Sequence, residues 1–139
     1  MIVVDTDVIA ELMRPEPHKA VVRWSLAQAA GDLYTTAITL AEILYGIERL
    51  PPGRRKTLLR ETAAEVFTAF ADHVLPFDTG AAAAYSLIVD AREQLGRPIG
   101  GFDAQIASIC RSGSSTLATR NTRDFEHTGI DLLDPWDEA

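Results

Sequence analysis

Short apolar runs, each followed by a segment with helical periodicity, constrain the fold of this chain more than any other feature. The first run, Ile2–Val4, contains only apolar residues, as is typical of a parallel strand buried on both faces of a sheet. The predicted strands span residues 2–4, 33–36, 73–77, 116–118 and 130–133. Because strands that alternate with helices form mainly parallel sheets, the sequence predicts an α/β fold with about five short strands.

The segments between these runs carry the periodicity expected of helices that cover a sheet. Leu40, Ile43, Leu44 and Ile47 follow the spacing i, i+3, i+4, i+7, which predicts a helix face turned toward the core. Other predicted helices span about residues 8–13, 20–29 and 54–71, a segment capped by Asp78 or Thr79 that runs to about 95, and a segment marked by apolar positions from 102 to 110.

Length and composition bound the class of protein. The chain has 139 residues, of which 47% are hydrophobic and 24% charged, and fits one globular domain over residues 1–139. Its apolar stretches are too short for a membrane span, and a strand pattern begins at Ile2, so we expect neither a span nor a signal peptide. The single cysteine, Cys110, lies in an apolar helical pattern, which suits a core position in a cytoplasmic protein.

The charge balance limits what the chain can bind. Thirteen basic and 20 acidic residues give a net charge of −7, which argues against a general nucleic-acid coat because phosphate contacts need a local excess of Lys and Arg. A nuclease with an acidic, metal-binding centre stays compatible with this balance. The dense basic run 54–56, together with Arg60, is interpreted as a solvated helix face, with an RNA-contacting edge as the alternative.

Acidic residues occur where predicted strands end and predicted helices begin. Asp5 follows the first strand directly, at a place where burying a charge is costly. The segment "ATRNTRDF" (118–125) follows another strand, and Asp103 follows Gly100-Gly101 in the first turn of a helix. Sites in parallel sheets form beyond the carboxyl ends of the strands, so these acids are candidates for one site.

Each acid also has a purely structural interpretation. Thr39-Leu40-Ala41-Glu42 matches a capping box, in which Glu42 reaches back to the backbone at the helix start. Asp103 is favoured in a first turn by the helix dipole. Asn121 and Asp124 are common turn residues. Taken singly, the acids therefore do not establish a functional site.

Taken together, Asp5, Glu42, Asp103 and Asp124 favour a metal centre. Two ionised carboxylates ~4 Å apart repel by about 1 kcal/mol in water and about 4 kcal/mol at an effective dielectric constant of 20. Either their pKa values rise or a cation lies among them. Oxygen ligands select Mg²⁺ or Mn²⁺. Zinc fits poorly, because the three histidines are scattered and there is one cysteine.

Several stretches of the chain, in the same order and at the same separations, resemble those of a known family. They are "MIVVDTDVIAEL", "TTAITLAEILYGI", "LPFDTGAAAAY", "FDAQIAS", "LATRNTRDF" and the final "DPW". The set is similar to PIN-domain proteins, in particular to VapC-type toxins of VapBC toxin–antitoxin systems, including the FitB-like branch. The resemblance implies a three-layer α/β/α sandwich, Mg²⁺-dependent endoribonuclease activity and a cognate VapB-like antitoxin that holds the enzyme inactive.

The same resemblance assigns roles to the acids. Asp5, Glu42 and Asp103 match the first three acids of the family, and all are expected to be catalytic and metal-binding. The "RNTRD" segment matches the fourth acidic region, which leaves Asn121 or Asp124 as the fourth ligand. Asp5 and Asp103 are expected to bind Mg²⁺ directly, and Glu42 and Asp124 to act directly or through water.

Polar neighbours of these acids receive secondary roles. Thr6 and Thr119 are candidates to orient waters or phosphate oxygens, although hydroxyls at such places also cap helices and close turns. Arg120 and Arg123 are candidates to hold the RNA backbone, or are surface arginines without that role. Asp7 is interpreted mainly as a helix N-cap.

The resemblance also bears on assembly. It implies a homodimer, and the predicted helix over 54–71 carries an apolar stripe that one domain need not cover: Leu58, Leu59, Thr62, Val66 and Phe70. Contact with DNA is expected only through the antitoxin. No base-reading motif indicates which RNA is cut.

Two other interpretations compete with a nuclease. The start "DTDV" resembles that of haloacid-dehalogenase phosphatases, but Ile9 stands where that family has Thr or Val, and the lysines are limited to Lys19 and Lys56. A phospho-receiver domain is disfavoured for lack of a lysine near the last strands. The remaining alternative is a PIN-like binding subunit that pairs with an antitoxin in a DNA-bound repressor complex and has little nuclease activity.

Overall fold

The computed structural model describes residues 1–29 and 31–137, and in this part of the chain the apolar runs form a single parallel sheet. The strands are β1 (Ile2–Val4), β2 (Leu33–Thr36), β3 (Val74–Leu75), β4 (Thr116–Ala118) and β5 (Asp131–Leu133). They lie in the order β3-β2-β1-β4-β5, and all neighbours are parallel. Because later strands are added on both sides of β1, a crevice opens beyond its carboxyl end.

Helices cover both faces of this sheet and confirm the three-layer α/β/α sandwich. They are α1 (Thr6–Leu12), α2 (Lys19–Ala27), α3 (Ala37–Glu48), α4 (Arg54–Phe70), α5 (Thr79–Gln94) and α6 (Gly101–Ser112). The neighbouring residues of β1 divide the core between the two faces: Val4 packs with α1 to α4, and Val3 packs with α5 and α6. Both valines are at most 1% exposed, as expected of a strand covered on both sides.

Side-chain caps set where two of the helices begin. Asp78 accepts a hydrogen bond from the backbone N–H of Ala81 at 2.9 Å, which confirms it as the cap of α5. Thr36 caps α3 by accepting from the N–H of Thr39 at 3.0 Å. The helix therefore begins before the capping box proposed from the sequence. Glu42 lies too far along α3 to reach the cap, so the capping interpretation of Glu42 is wrong.

Two further expectations differ from the structure. The strand predicted over 73–77 is limited to Val74–Leu75, because Pro76 has no N–H to donate to a neighbouring strand. The predicted core stripe of α3 is only partly buried: Ile47 is 5% exposed, whereas Leu44 is 47% exposed. Leu44 therefore lies on a part of α3 that faces solvent.

Other expectations about burial are met to different degrees. Cys110 on α6 is fully buried in the core on this side of the sheet, which confirms it as a core residue. Of the stripe on α4, Leu59, Val66 and Phe70 pack against the opposite core, while Leu58 is 51% exposed. Throughout the described part of the chain, no helix combines the length and apolar character that crossing a membrane requires.

Candidate metal centre

Asp5 lies at the carboxyl end of the central strand and begins the next helix. Its backbone N–H extends the pairing of β1 with β4 by donating to the carbonyl of Ala118 at 2.9 Å. Its Oδ1 accepts from the N–H of Thr6 and its Oδ2 from the hydroxyl of Thr119, both at 2.8 Å. Only 4% of the residue is exposed. A local contact from Thr6 and a distant one from Thr119, 114 positions away, thus fix the carboxylate in the crevice.

Burial makes this carboxylate hard to ionise. The pKa of Asp5 rises to about 7, first because burial disfavours the charge, then because Asp7 and, more weakly, Asp103 repel it. The hydrogen bonds from Thr119 and Thr6 act in the opposite direction and lower the pKa of this group. The ionised form of Asp5 is therefore electrostatically destabilised, and a cation would stabilise it.

Asp103 lies in the first turn of α6, near enough to the other acids for their charges to act on it. Burial raises the pKa of Asp103 to about 6, with further upward contributions from the charges of Glu42, Asp124 and Asp7. These three acids come from α3, from the turn after β4 and from α1. The structure thus brings all four predicted acids into one electrostatic neighbourhood.

Glu42 reaches this neighbourhood from α3 and is held there by a threonine. Its Oε1 accepts from the hydroxyl of Thr6 at 2.8 Å, and that hydroxyl lies 3.1 Å from the hydroxyl of Thr39. Thr39 is fully buried. Sequence reasoning selected Thr6 but missed Thr39, because the pair is separated by 33 positions and no local pattern links them.

The fourth acidic segment forms a short 3₁₀ turn, Thr122–Phe125, after β4. Asp124 is exposed on this turn, and its N–H donates to the carbonyl of Asn121 at 3.0 Å. The N–H of Asn121 in turn donates to the hydroxyl of Thr119 at 3.1 Å. Asp124 is the charged member of this segment, and its charge raises the pKa of Asp103. Asp124 and Asn121 both remain candidates for the fourth ligand.

Asp7 is not the N-cap predicted from the sequence, because Asp5 takes that place. Its Oδ2 instead accepts from the backbone N–H of Arg120 at 2.9 Å and lies 3.3 Å from the hydroxyl of Thr119. Its Oδ1 is buried, with no hydrogen-bond partner among the residues that the structure describes. Asp7 thus ties the start of α1 to the segment after β4, a contact across 113 positions that local sequence does not reveal.

The two arginines proposed to contact RNA are both exposed beside this centre. The guanidinium of Arg120 lies over the ring of Trp136, with its carbon 5.1 Å from the ring centroid. Arg123 is fixed through its backbone, since its carbonyl accepts from the guanidinium of Arg97 at 3.3 Å. Both side chains are thus available to solvent at the rim of the crevice.

The donor set fits Mg²⁺ or Mn²⁺. In the described residues, no three His, Cys, Asp or Glu side chains are close enough to form a ready-made metal cluster. Mg²⁺ does not require one, because it keeps several waters and is bound through one or two carboxylates. Buried Asp5 and half-buried Asp103 both have raised pKa values and would be the carboxylates that hold such an ion, because a divalent cation would relieve their repulsion.

Comparisons with known proteins agree with this geometry. Residues 2–131 match the family described as PIN domain. VapC ribonuclease Y4jK of Sinorhizobium fredii is 40% identical over 140 residues, which cover 100% of both chains. Toxin FitB of Neisseria gonorrhoeae is 36% identical over 137 residues, or 98% of this chain and 99% of that protein.

A solved structure shows the same likeness in three dimensions. The structure of FitAB bound to an IR36 DNA fragment contains a chain that matches with a TM-score of 0.90 at 36% identity, covering 98% of this chain and 96% of that one. The same family is indicated by a family match over most of the chain, by two relatives of full length and by a common fold. The chain belongs to the PIN-domain family, in the branch of the VapC and FitB toxins.

Proposed function

We propose that this chain is the toxin of a type II toxin–antitoxin system and acts in the cytoplasm as an Mg²⁺-dependent endoribonuclease. The observation that carries the proposal is the convergence of Asp5, Glu42, Asp103 and Asp124 on one crevice, with the pKa values of Asp5 and Asp103 raised. The likeness over its full length to a VapC ribonuclease supports it.

Asp5 and Asp103 would hold the ion directly, and Glu42 and Asp124 directly or through water. When bound, Mg²⁺ or Mn²⁺ supplies an activated water for in-line attack on a phosphodiester and offsets the charge that develops on phosphorus. Thr119 and Thr6 orient Asp5 and Glu42 through the two 2.8 Å hydrogen bonds, so the carboxylates need little reorganisation before binding. The exposed side chains of Arg120 and Arg123 would contact the RNA backbone.

The partner would be an antitoxin, as in the FitAB complex. A groove of about 1110 Å³ lies between α1, α3 and α4, and Glu42 is part of its wall. The groove has an apolar lining that includes Ile43, Ile47 and Leu58, and its charged lining includes Arg14, Arg54 and Arg55. We propose that an antitoxin segment with apolar and acidic side chains docks there and covers the neighbouring metal centre. DNA would be contacted only through the antitoxin.

Growth arrest separates the nuclease from the binding-subunit alternative. Expression of the chain without an antitoxin should stop growth, and Asp103→Ala should relieve the arrest. Asp131→Ala is the matched control, because Asp131 is exposed at the start of β5, at the opposite edge of the sheet. If Asp103→Ala is folded by circular dichroism and as toxic as the wild type, toxicity does not come from this centre and the binding-subunit interpretation replaces the nuclease.

A further inference from the structure

Arg92, like Thr39, lies beside the centre and was not selected from the sequence. We propose that Arg92 is a positioning residue: from the buried side of α5 it holds the backbone that carries Asp124, and so sets where this carboxylate lies relative to Asp103. The inference rests on the proposed function, because it concerns the binding of the divalent cation.

The guanidinium of Arg92 makes a fork of contacts to backbone carbonyls. Nη1 donates to the carbonyls of Asp124 at 2.9 Å and Glu126 at 3.0 Å, and Nε donates to the carbonyl of Arg97 at 2.7 Å. Between the two carbonyls held by Nη1, Phe125 inserts its ring into the core and is 1% exposed. Arg92 therefore clamps the backbone on both sides of a core anchor, and one of the clamped residues is Asp124.

The chain that follows α5 makes this clamp rigid. The N–H of Arg97 donates to the carbonyl of Arg92 at 2.9 Å and the N–H of Gly96 to that of Glu93 at 3.0 Å, the two bonds of a Schellman motif. Gly96 supplies the left-handed conformation that the motif requires, with a φ of 71°. This turn brings the carbonyl of Arg97 back to the guanidinium of Arg92.

The guanidinium of Arg92 is a buried charge that has no carboxylate partner among the described residues. Arg92 is 4% exposed, and none of the ion pairs within the described residues includes it. Burying a guanidinium is costly, and three carbonyl dipoles offset only part of that cost. The charge of Arg92 also reaches the acidic centre, where it lowers the pKa of Asp103 slightly against the larger upward effects of burial and of the other acids.

The segment around Asp124 is also held by contacts that do not involve Arg92. Arg97 pairs with Glu126 at 3.0 Å, and the hydroxyl of Thr128 donates to the carbonyl of Phe125 at 2.6 Å. Loss of the Arg92 fork should therefore shift Asp124 without releasing the whole segment. Arg92→Lys keeps the cation but replaces a planar fork by a flexible point charge, which separates geometry from charge.

A double-mutant cycle on the binding of Mn²⁺, measured by isothermal titration calorimetry, tests this inference. Arg92→Lys should weaken binding roughly tenfold, as is typical of residues that orient metal ligands. In the Asp124→Asn background, Arg92→Lys should change the affinity by less than about twofold, because the residue through which it acts has already lost its charge. Arg111→Lys is the matched control, since Arg111 donates to the carbonyl of Thr128 in the same segment, at 3.5 Å.

Three outcomes overturn the inference. The first is an Arg92→Lys variant that binds Mn²⁺ as tightly as the wild type. The second is a loss of affinity that is undiminished in the Asp124→Asn background, which would make Arg92 a general structural residue. A wild type that does not bind Mn²⁺ would overturn the proposed function as well. If the wild type binds Mn²⁺ and Asp5→Asn weakens this binding, the proposed function stands. If Arg92→Lys has no effect in the same experiment, only the role of Arg92 is removed.

A measurement on the unaltered chain covers the case in which Arg92→Lys does not fold. In protein with ¹⁵N-labelled arginine, the Nε–H resonance of Arg92 should be protected from solvent exchange and should shift on addition of Mg²⁺, because the clamp transmits the adjustment of Asp124. The Nε–H resonance of exposed Arg23 serves as the control in the same spectrum. An Arg92 resonance that does not move at saturating Mg²⁺ contradicts the inference.

Discussion

At the scale of the residue, burial and mutual repulsion raise the pKa values of the same two carboxyl groups. The pKa of Asp5 is raised mainly by burial and by the charge of Asp7. The pKa of Asp103 is raised by burial and by the charges of three acids from separate elements. A centre of this kind is less stable when ionised and empty than when a cation offsets the charge. The ionised acids therefore lower the stability of the folded chain, and a bound cation would offset this loss.

Asp5→Asn tests how the charge of this carboxylate affects stability without and with Mg²⁺. The substitution keeps the shape and removes the charge, so at pH 8 in EDTA the melting temperature should be unchanged or higher. Wild-type protein at a Mg²⁺ concentration of about 100 times Kd should gain about 2.7 kcal/mol in unfolding free energy, and the variant should lose most of this gain. Differential scanning calorimetry checks both values. A variant stabilised by Mg²⁺ as much as the wild type would exclude Asp5 as a ligand.

The raised pKa values also predict how stability depends on pH. Folding raises the pKa of Asp5 from 3.8 to about 7 and that of Asp103 from 3.8 to about 6, so the folded state keeps protons that the unfolded state has released. Their contribution to stability is complete below about pH 4 and is lost as the pH rises to about 7. Urea denaturation in EDTA from pH 4 to 8 should show this decline, and Asp5→Asn should flatten it. Equal slopes for the two proteins would contradict the raised pKa of Asp5.

Single residues differ in how far the sequence predicts them. Asp5 and Asp103 are predictable because a strand end and a helix start fix their places locally. Asp7 and Arg92 are not, since their partners Arg120 and Asp124 are 113 and 32 positions away. Asp7 has a plausible local role that the structure does not use, and Arg92 looks like any charged residue of a helix. Tertiary contacts, and not local propensity, decide both.

At the scale of the element, most helices and strands follow from periodicity, and the exceptions have local causes. β4 has the predicted bounds, and α4 and α5 differ from prediction by a residue or so at the ends. β3 is cut short by Pro76, and α3 starts early because Thr36 caps it. The exposure of Leu44 depends on which neighbour packs where, and a single stripe does not contain that information.

The groove between α1, α3 and α4 gives a prediction at this scale. Leu58→Glu places a charge in its apolar lining and should weaken binding of the antitoxin about tenfold, since an apolar anchor is lost. Cleavage of RNA by the free toxin should be unchanged. Leu87→Glu on α5 is the control, because Leu87 is 59% exposed on the opposite face. Calorimetric titration with the antitoxin measures both affinities. Equal affinities for Leu58→Glu and Leu87→Glu would exclude the groove as the docking site.

At the scale of the whole molecule, topology explains how distant acids reach one place. Because all strands are parallel and β1 is central, the segments after β1 and β4 leave the sheet at the same edge. α3 and α6 begin at that edge too, which adds Glu42 and Asp103. The sequence predicts the layers and this edge, but not the register that pairs Val4 with Ala118 and so places Asp5 beside Thr119.

A two-fold dimer is the expected assembly. Large apolar side chains are exposed on both faces of the sandwich, among them Tyr45 at 62% and Phe102 at 54%. Association would cover part of this surface and is most often two-fold in homo-oligomers. Light scattering at micromolar concentration should report about twice the chain mass of 15.2 kDa. A mass equal to that of one chain would contradict the dimer.

Cleavage of RNA by the purified chain, with its antitoxin removed, tests the central claim most directly. Single-stranded or looped RNA should be cut at internal positions in Mg²⁺ or Mn²⁺ and left intact in EDTA, and Ca²⁺ should support cutting poorly because of its looser coordination. Asp103→Ala should lower the rate by more than about 100-fold, which exceeds the loss typical of residues that only orient ligands. The control Asp131→Ala should cut RNA at the rate of the wild type. Cleavage that continues in EDTA, or a folded Asp103→Ala variant as active as the wild type, would contradict a metal centre built from these acids.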